Sequence, residues 1–189
     1  LLATNTSAIP LADIGTALDN PSRLVGIHFF NPVAKMPLVE VVHDEATDQE
    51  QVARAAAFCS AINRFPLPVK SSPGFLVNRV LAPYMLQAFR MNLEEGIPAE
   101  ALDRAATRFG MPMGPVELVD SVGIDVALHV SKVIGGALTR PVPAGLAEMV
   151  ERGHLGRKSG RGFYEWVDGK PQKPGDGSGT VPADLEDRL

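Results

Sequence analysis

The apolar positions follow two regimes that change near residue 71. Before it, short continuous apolar runs alternate with stretches of helical spacing. Leu1 to Ala3 is a short apolar run closed by Thr4-Asn5-Thr6-Ser7. Residues 10–19 read as a helix, with Pro10 in the first turn and Leu11, Ile14 and Leu18 at i, i+3 and i+7. Leu24-Val25-Gly26-Ile27-His28-Phe29-Phe30 is a nearly continuous apolar strand stopped by Asn31-Pro32, and Leu38-Val39-Glu40-Val41-Val42 is another. Thr47 with Glu50 has the form of a capping box for a helix over 48–62, and Phe65 to Val69 reads as a last strand. Continuous apolar strands separated by helices predict a sheet covered on both faces, as in α/β folds.

After Ser71-Ser72-Pro73-Gly74 the spacing is helical only. Residues 75–95 carry two apolar rows, Leu76-Val80-Tyr84 and Val77-Leu81-Met85-Phe89-Leu93, so this helix is expected to be mostly buried and kinked at Pro83. A second helix over 98–109 turns Leu102, Ala105, Ala106 and Phe109 inward. Met111-Pro112-Met113-Gly114-Pro115 is a break, and helices near 115–121, 124–138 and 143–152 follow. Residues 168–182 show no apolar period and read as a linker or disordered tail. Residues 183–189 are helix-forming in type but too short to stand alone. The pattern therefore predicts an α/β part over 1–71, an all-α part over 72–167, and a linker with the start of a further element over 168–189.

Composition sharpens this reading. Apolar residues make up 45% and charged residues 21%, ordinary for a chain with a real core. Gly 18 and Pro 16 exceed the usual share, and much of the excess sits in 168–182. A net charge of −4 provides no general basic field for nucleic acid or an anionic membrane. The lone Cys59 excludes an internal disulfide framework and fits a reducing, cytoplasmic setting. No apolar run reaches the length of a membrane span. The opening Leu1-Leu2, without Met or a signal pattern, reads as a cut from something longer.

Several residues could carry chemistry. His28 lies in an apolar strand, where a lone histidine can simply be a hydrogen-bonded core residue. Glu40 interrupts the next apolar strand; a buried ionised carboxylate needs a partner, and neighbouring strands can supply the imidazole. Such a pair suits a general base. Alternatively, Glu40 lies on a wet edge strand. Ser7 and Asn31 fall at strand ends, where ligands bind in parallel α/β sheets, or where such residues make turns and caps. Asn78, early in the most apolar helix, either caps it or faces a cleft. Lys158, within Gly156-Arg157-Lys158-Ser159-Gly160-Arg161-Gly162, could meet phosphate or lie in a solvated turn. No dinucleotide or P-loop glycine motif is present, and the histidines show no metal-ligand spacing.

The strings Ala3-Thr4-Asn5-Thr6-Ser7, Gly26-Ile27-His28-Phe29-Phe30-Asn31-Pro32, Leu38-Val39-Glu40-Val41-Val42, Pro73-Gly74-Phe75-Leu76-Val77-Asn78-Arg79, Met111-Pro112-Met113-Gly114-Pro115 and Lys158-Ser159-Gly160-Arg161-Gly162-Phe163-Tyr164 occur in this order. Together they resemble the L-3-hydroxyacyl-CoA dehydrogenase family over about residues 1–167. The resemblance implies the C-terminal part of a Rossmann NAD-binding domain. It also implies a helical domain like the C-terminal domain of 6-phosphogluconate dehydrogenase, which self-associates. It implies NAD as cofactor and an acyl-CoA substrate oxidised at its 3-hydroxyl. By motif, His28 is then the base and Glu40 its orienter. Ser7 lies near nicotinamide and substrate, Asn78 holds substrate, and Asn31 and Lys158 contact NAD. The segment after Tyr164 resembles multifunctional fatty-acid oxidation alpha subunits, which assemble with a thiolase. On that reading this is an internal fragment, inactive alone because the phosphate-binding turn lies outside it. Two rival readings are a helical association or acyl-CoA-binding module without catalysis, and a fragment of a single-function 3-hydroxybutyryl-CoA dehydrogenase.

Overall fold

The computed structural model describes residues 1–7, 9–138, 141–173 and 182–189, with backbone alone for 135–138. Two compact units divide the chain after Arg79. The first holds strands β1 (Leu2–Thr4), β2 (Leu24–Phe29), β3 (Leu38–His43) and β4 (Phe65–Lys70), with helices α1 (Leu11–Gly15) and α2 (Gln49–Ala61). The sheet order is β1-β2-β3-β4. β1 runs parallel to β2 and β3 parallel to β4, whereas β2 and β3 are antiparallel. The sheet is therefore mixed, because residues 30–37 are fewer than the roughly dozen that a parallel crossover needs.

The strand period of two sorts the layers. Val25, Ile27, Val39 and Val41 pack with Val52, Ala55 and Cys59 of α2. Leu24 and Val42 face the opposite way, with Leu11, Val69 and Phe75. His28 and Glu40 are in phase with this second set.

Two local expectations fail here. The helix expected over 10–19 tightens after Gly15: Ala17 N–H bonds to the Ile14 carbonyl and Leu18 N–H to the Gly15 carbonyl. The Thr47 capping box is not made. Thr47 Oγ1 instead donates to the Leu24 carbonyl at 3.2 Å and accepts from Asp44 N–H at 3.1 Å, which leaves Asp48 at the N-cap of α2.

Helix α3 (Val77–Leu93) continues through Pro83. Its apolar row is not uniformly covered: Val80 is 66% exposed, while burial concentrates at Ala82, Leu86, Ala88, Phe89 and Met91. The second unit adds α4 (Ala99–Phe109), α5 (Pro115–Val122), α6 (Ile124–Leu138) and α7 (Ala144–Glu151). One cluster joins Met91, Leu102, Ala105, Val116, Tyr164 and Trp166; another joins Leu86, Phe89, Val119, Ile124 and Leu146. Phe109, expected inward, is 84% exposed. It is the last residue of α4, and the chain leaves through a left-handed Gly110 before the covered face reaches it.

The expected linker begins instead as a hairpin. β5 (Glu165–Val167) and β6 (Lys170–Gln172) pair across Asp168-Gly169, both at positive φ as a type I′ turn requires. The rest of that expectation, residues 174–181, lies outside the described residues. The short α8 (Leu185–Arg188) does not stand alone: Leu185 is buried in the cluster with Leu102 and Tyr164.

Candidate active site

In the antiparallel β2–β3 ladder, His28 lies directly opposite Glu40. Directly paired residues project from the same face. The result is a hydrogen bond of 2.7 Å between His28 Nδ1 and Glu40 Oε2. His28 is 6% exposed and Glu40 fully buried. An ionised carboxylate only accepts, so Nδ1 carries the proton and donates it to Glu40. In the neutral ring the other nitrogen, Nε2, then presents its lone pair.

The second oxygen of Glu40 is equally committed. Oε1 accepts from the backbone N–H groups of Leu76 at 3.0 Å and Val77 at 2.9 Å. Burial works to raise the Glu40 pKa, but the hydrogen bonds from His28, Val77 and Leu76 outweigh it and hold the carboxyl below its ordinary value. The imidazole lies between two aromatic edges, Phe30 at 4.7 Å and Phe75 at 5.5 Å between centroids. This arrangement fixes the tautomer and the orientation of the imidazole.

The remaining candidates take different places. Ser7 is exposed just beyond β1, and Asn31 is exposed just beyond β2, followed by a cis bond to Pro32. Nearby Asn5, which sequence reasoning passed over, accepts from Phe29 N–H at 3.1 Å and ties the two strand ends together. Asn78 is partly exposed in the first turn of α3, directly after the Val77 amide that holds Glu40. Lys158 lies in the second unit, where its Nζ is 2.6 Å from both carboxylate oxygens of Asp125. The bond from Lys158 holds the Asp125 pKa down.

Sequence reasoning also missed two buried carboxylates of the second unit. Asp103 accepts from Val116 N–H at 2.8 Å, from Glu117 N–H and from Tyr164 O–H at 2.7 Å. It thereby caps α5, whose own N-cap, Gly114, has no side chain to do so. Asp120 accepts from the N–H groups of Phe163 and Tyr164 and from Trp166 Nε1. These carboxylates organise backbone, and the spacing of their partners, more than 40 residues away for Asp120, leaves no local signal. Among the described residues no cluster could hold a metal ion, and no helix is long and apolar enough to cross a membrane.

Comparison with known proteins gives the family of both parts of the chain. Residues 1–72 match the family model for the 3-hydroxyacyl-CoA dehydrogenase NAD binding domain, and residues 74–166 match that for the C-terminal domain. The fatty acid oxidation complex subunit alpha of Psychrobacter sp. (strain PRwf-1) is 40% identical over 183 residues, 93% of this chain and 25% of that protein. Its counterpart from Shewanella amazonensis is 41% identical over 177 residues, with the same coverage. The chain thus spans about a quarter of the length of these curated relatives. Among solved structures, 3-hydroxybutyryl-CoA dehydrogenase from Escherichia coli K12 matches with a TM-score of 0.83 and 38% identity, over 97% of this chain and 40% of that one. The (S)-3-hydroxybutyryl-CoA dehydrogenase from Ralstonia eutropha also gives 0.83, at 35% identity, over 89% and 61%. The paired family models, which together cover nearly all of 1–166, and the buried histidine–glutamate pair in the first of them lead to one conclusion: the chain belongs to the 3-hydroxyacyl-CoA dehydrogenase family.

Proposed function

We propose that this chain carries the acid–base centre of an NAD-dependent dehydrogenase that oxidises (S)-3-hydroxyacyl-CoA to 3-ketoacyl-CoA in fatty-acid β-oxidation. The observation that carries the reading is the buried 2.7 Å bond from His28 Nδ1 to Glu40, which leaves Nε2 as a base. His28 Nε2 takes the proton of the 3-hydroxyl as C3 gives up its hydrogen with the bonding pair. NAD, when bound, accepts that pair and hydrogen. In the reverse direction the protonated imidazole returns the proton to the ketone oxygen. Glu40 stays ionised and stabilises the imidazolium throughout. General acid–base groups of this kind contribute roughly 10²–10⁴-fold in rate.

The residues present fit the nicotinamide end of the cofactor. β1 and β2 are parallel, so their carboxyl ends open on one side, as at ligand crevices of α/β sheets. There Ser7 and Asn31 offer exposed, uncharged hydrogen-bonding groups. In this reading Asn31 contacts NAD, Ser7 contacts NAD and the substrate oxygen, and Asn78 holds the substrate. The same reading gives Lys158, paired with Asp125, a contact to NAD. The domain division that goes with this reading is 1–71, 72–167 and 168–189.

For the whole protein we extend the proposal to a cytoplasmic enzyme that self-associates through its helical unit and works with a thiolase subunit. The exposed apolar Val80 and Phe109 and the relatives' name, a complex subunit, support assembly. Light scattering at several concentrations should give a mass above one copy, and a strict monomer would refute self-association. The activity is tested by following NADH absorbance with (S)- and (R)-3-hydroxyacyl-CoA on the whole protein. NADH formation with the (S) substrate alone is expected; no formation with either overturns the proposal.

A further inference from the structure

Among the described residues only three non-glycine positions have positive φ: Asn63, Asp168 and Phe75. Asn and Asp enter this region readily, whereas for a bulky residue it is an outlier. Phe75 has φ 49 and follows Gly74 at φ 77, so the chain makes two successive left-handed steps into α3. Phe75 N–H bonds to the Ser72 carbonyl at 2.8 Å, and its side chain is 3% exposed among Leu11, Leu24, Val42 and Val69. The next two amides, Leu76 and Val77, converge on one oxygen of Glu40. The Phe75 ring meets His28 edge-on.

We infer that Phe75 is the positioning residue of the His28–Glu40 pair: its left-handed backbone aims two amides at Glu40 while its ring seats the imidazole. The inference rests on the dyad reading proposed above. Glycine would adopt this backbone without strain. A phenylalanine held there by core packing is accounted for by use of the ring as well. With Oε2 on His28 and Oε1 on two amides, Glu40 has no freedom to rotate away. Phe75 acts through the pair, by its backbone on Glu40 and its ring on the His28 imidazole.

The test combines a spectroscopic and a kinetic readout. Amide proton shifts of Leu76 and Val77 are followed by NMR through acid pH in the full chain. In the unsubstituted protein both amides should titrate together, and Glu40→Gln should abolish that response. Phe75→Val, whose β-branched side chain resists positive φ, should move the titration to higher pH, because burial then dominates Glu40. In the whole enzyme the same substitution should lower kcat more than 10-fold, leave KM for acyl-CoA unchanged and shift the acid limb of the pH profile upward. Phe75→Gly, which permits the backbone but deletes the ring, should keep the titration in place and lose less kcat. An unshifted titration in Phe75→Val, or an equal shift in Phe75→Gly, overturns the proposal. Should Phe75→Val fail to fold, amides that ignore Glu40 in the unsubstituted protein overturn it equally. The NMR arms need no turnover, so they stand apart from any failure of the proposed activity.

Discussion

At Glu40 three donors decide a contest that burial would otherwise win. The folded carboxyl titrates below its ordinary value, so the unfolded chain takes up the proton first as pH falls. Glu40 therefore contributes its full share of stability above the unfolded pKa of about 4.3, and that share is lost as pH drops through the folded value. Urea midpoints measured from pH 6 downward should fall more steeply for the natural chain than for Glu40→Gln; parallel curves would contradict this. Asp120 is the opposite case. Burial raises its pKa despite three donors, with Asp103 adding to the rise. Both of its oxygens are occupied by N–H groups, so Asp120→Asn would turn a donor onto a donor. A loss of about 1–3 kcal/mol is expected in urea unfolding, as for a buried group left unsatisfied. His28 and Glu40 were legible because each breaks an apolar strand at a visible position. The amides of Leu76 and Val77 were not, since every residue but proline carries one.

At the scale of elements, the glycine-rich string after α7 has a packing role that composition does not show. A run of glycines and cations reads as a candidate phosphate cradle. In the fold, a Cβ on Gly162 would lie 2.1 Å from Asp120 Oδ1, so glycine is required for backbone to wrap that carboxylate. Gly162→Ala should cost about 1–3 kcal/mol, in the range of overpacked cores, and an unchanged urea midpoint would contradict the close approach. The strands were legible from continuous apolar runs, and most helices from spacing. The β5–β6 hairpin was missed although Asp168-Gly169 is a strong turn signal, because the flanking strands are only three residues each and contain Pro171. Helix α8 has little propensity of its own and exists through Leu185. Leu185→Ala should lower stability by about 2–4 kcal/mol, as for leucines truncated in other cores.

Across the whole molecule, the change of pattern near residue 71 anticipated an α/β part followed by a helical part. The compact units divide slightly later, within α3. The antiparallel step between β2 and β3 was not anticipated, yet it is what sets His28 opposite Glu40 in register. Sheet direction follows from connection length and packing, which apolar runs alone do not encode. The helical unit contributes its own buried carboxylate network around Asp103 and Asp120, whose work is structural. The proposed function gives the chemistry to the His28 centre of the first unit. Turnover of (S)-3-hydroxyacyl-CoA with NAD by the whole protein carrying His28→Gln tests that assignment most directly. A fall of roughly 10²–10⁴-fold in kcat with folding intact is predicted. A kcat within a few-fold of the unsubstituted enzyme would contradict it.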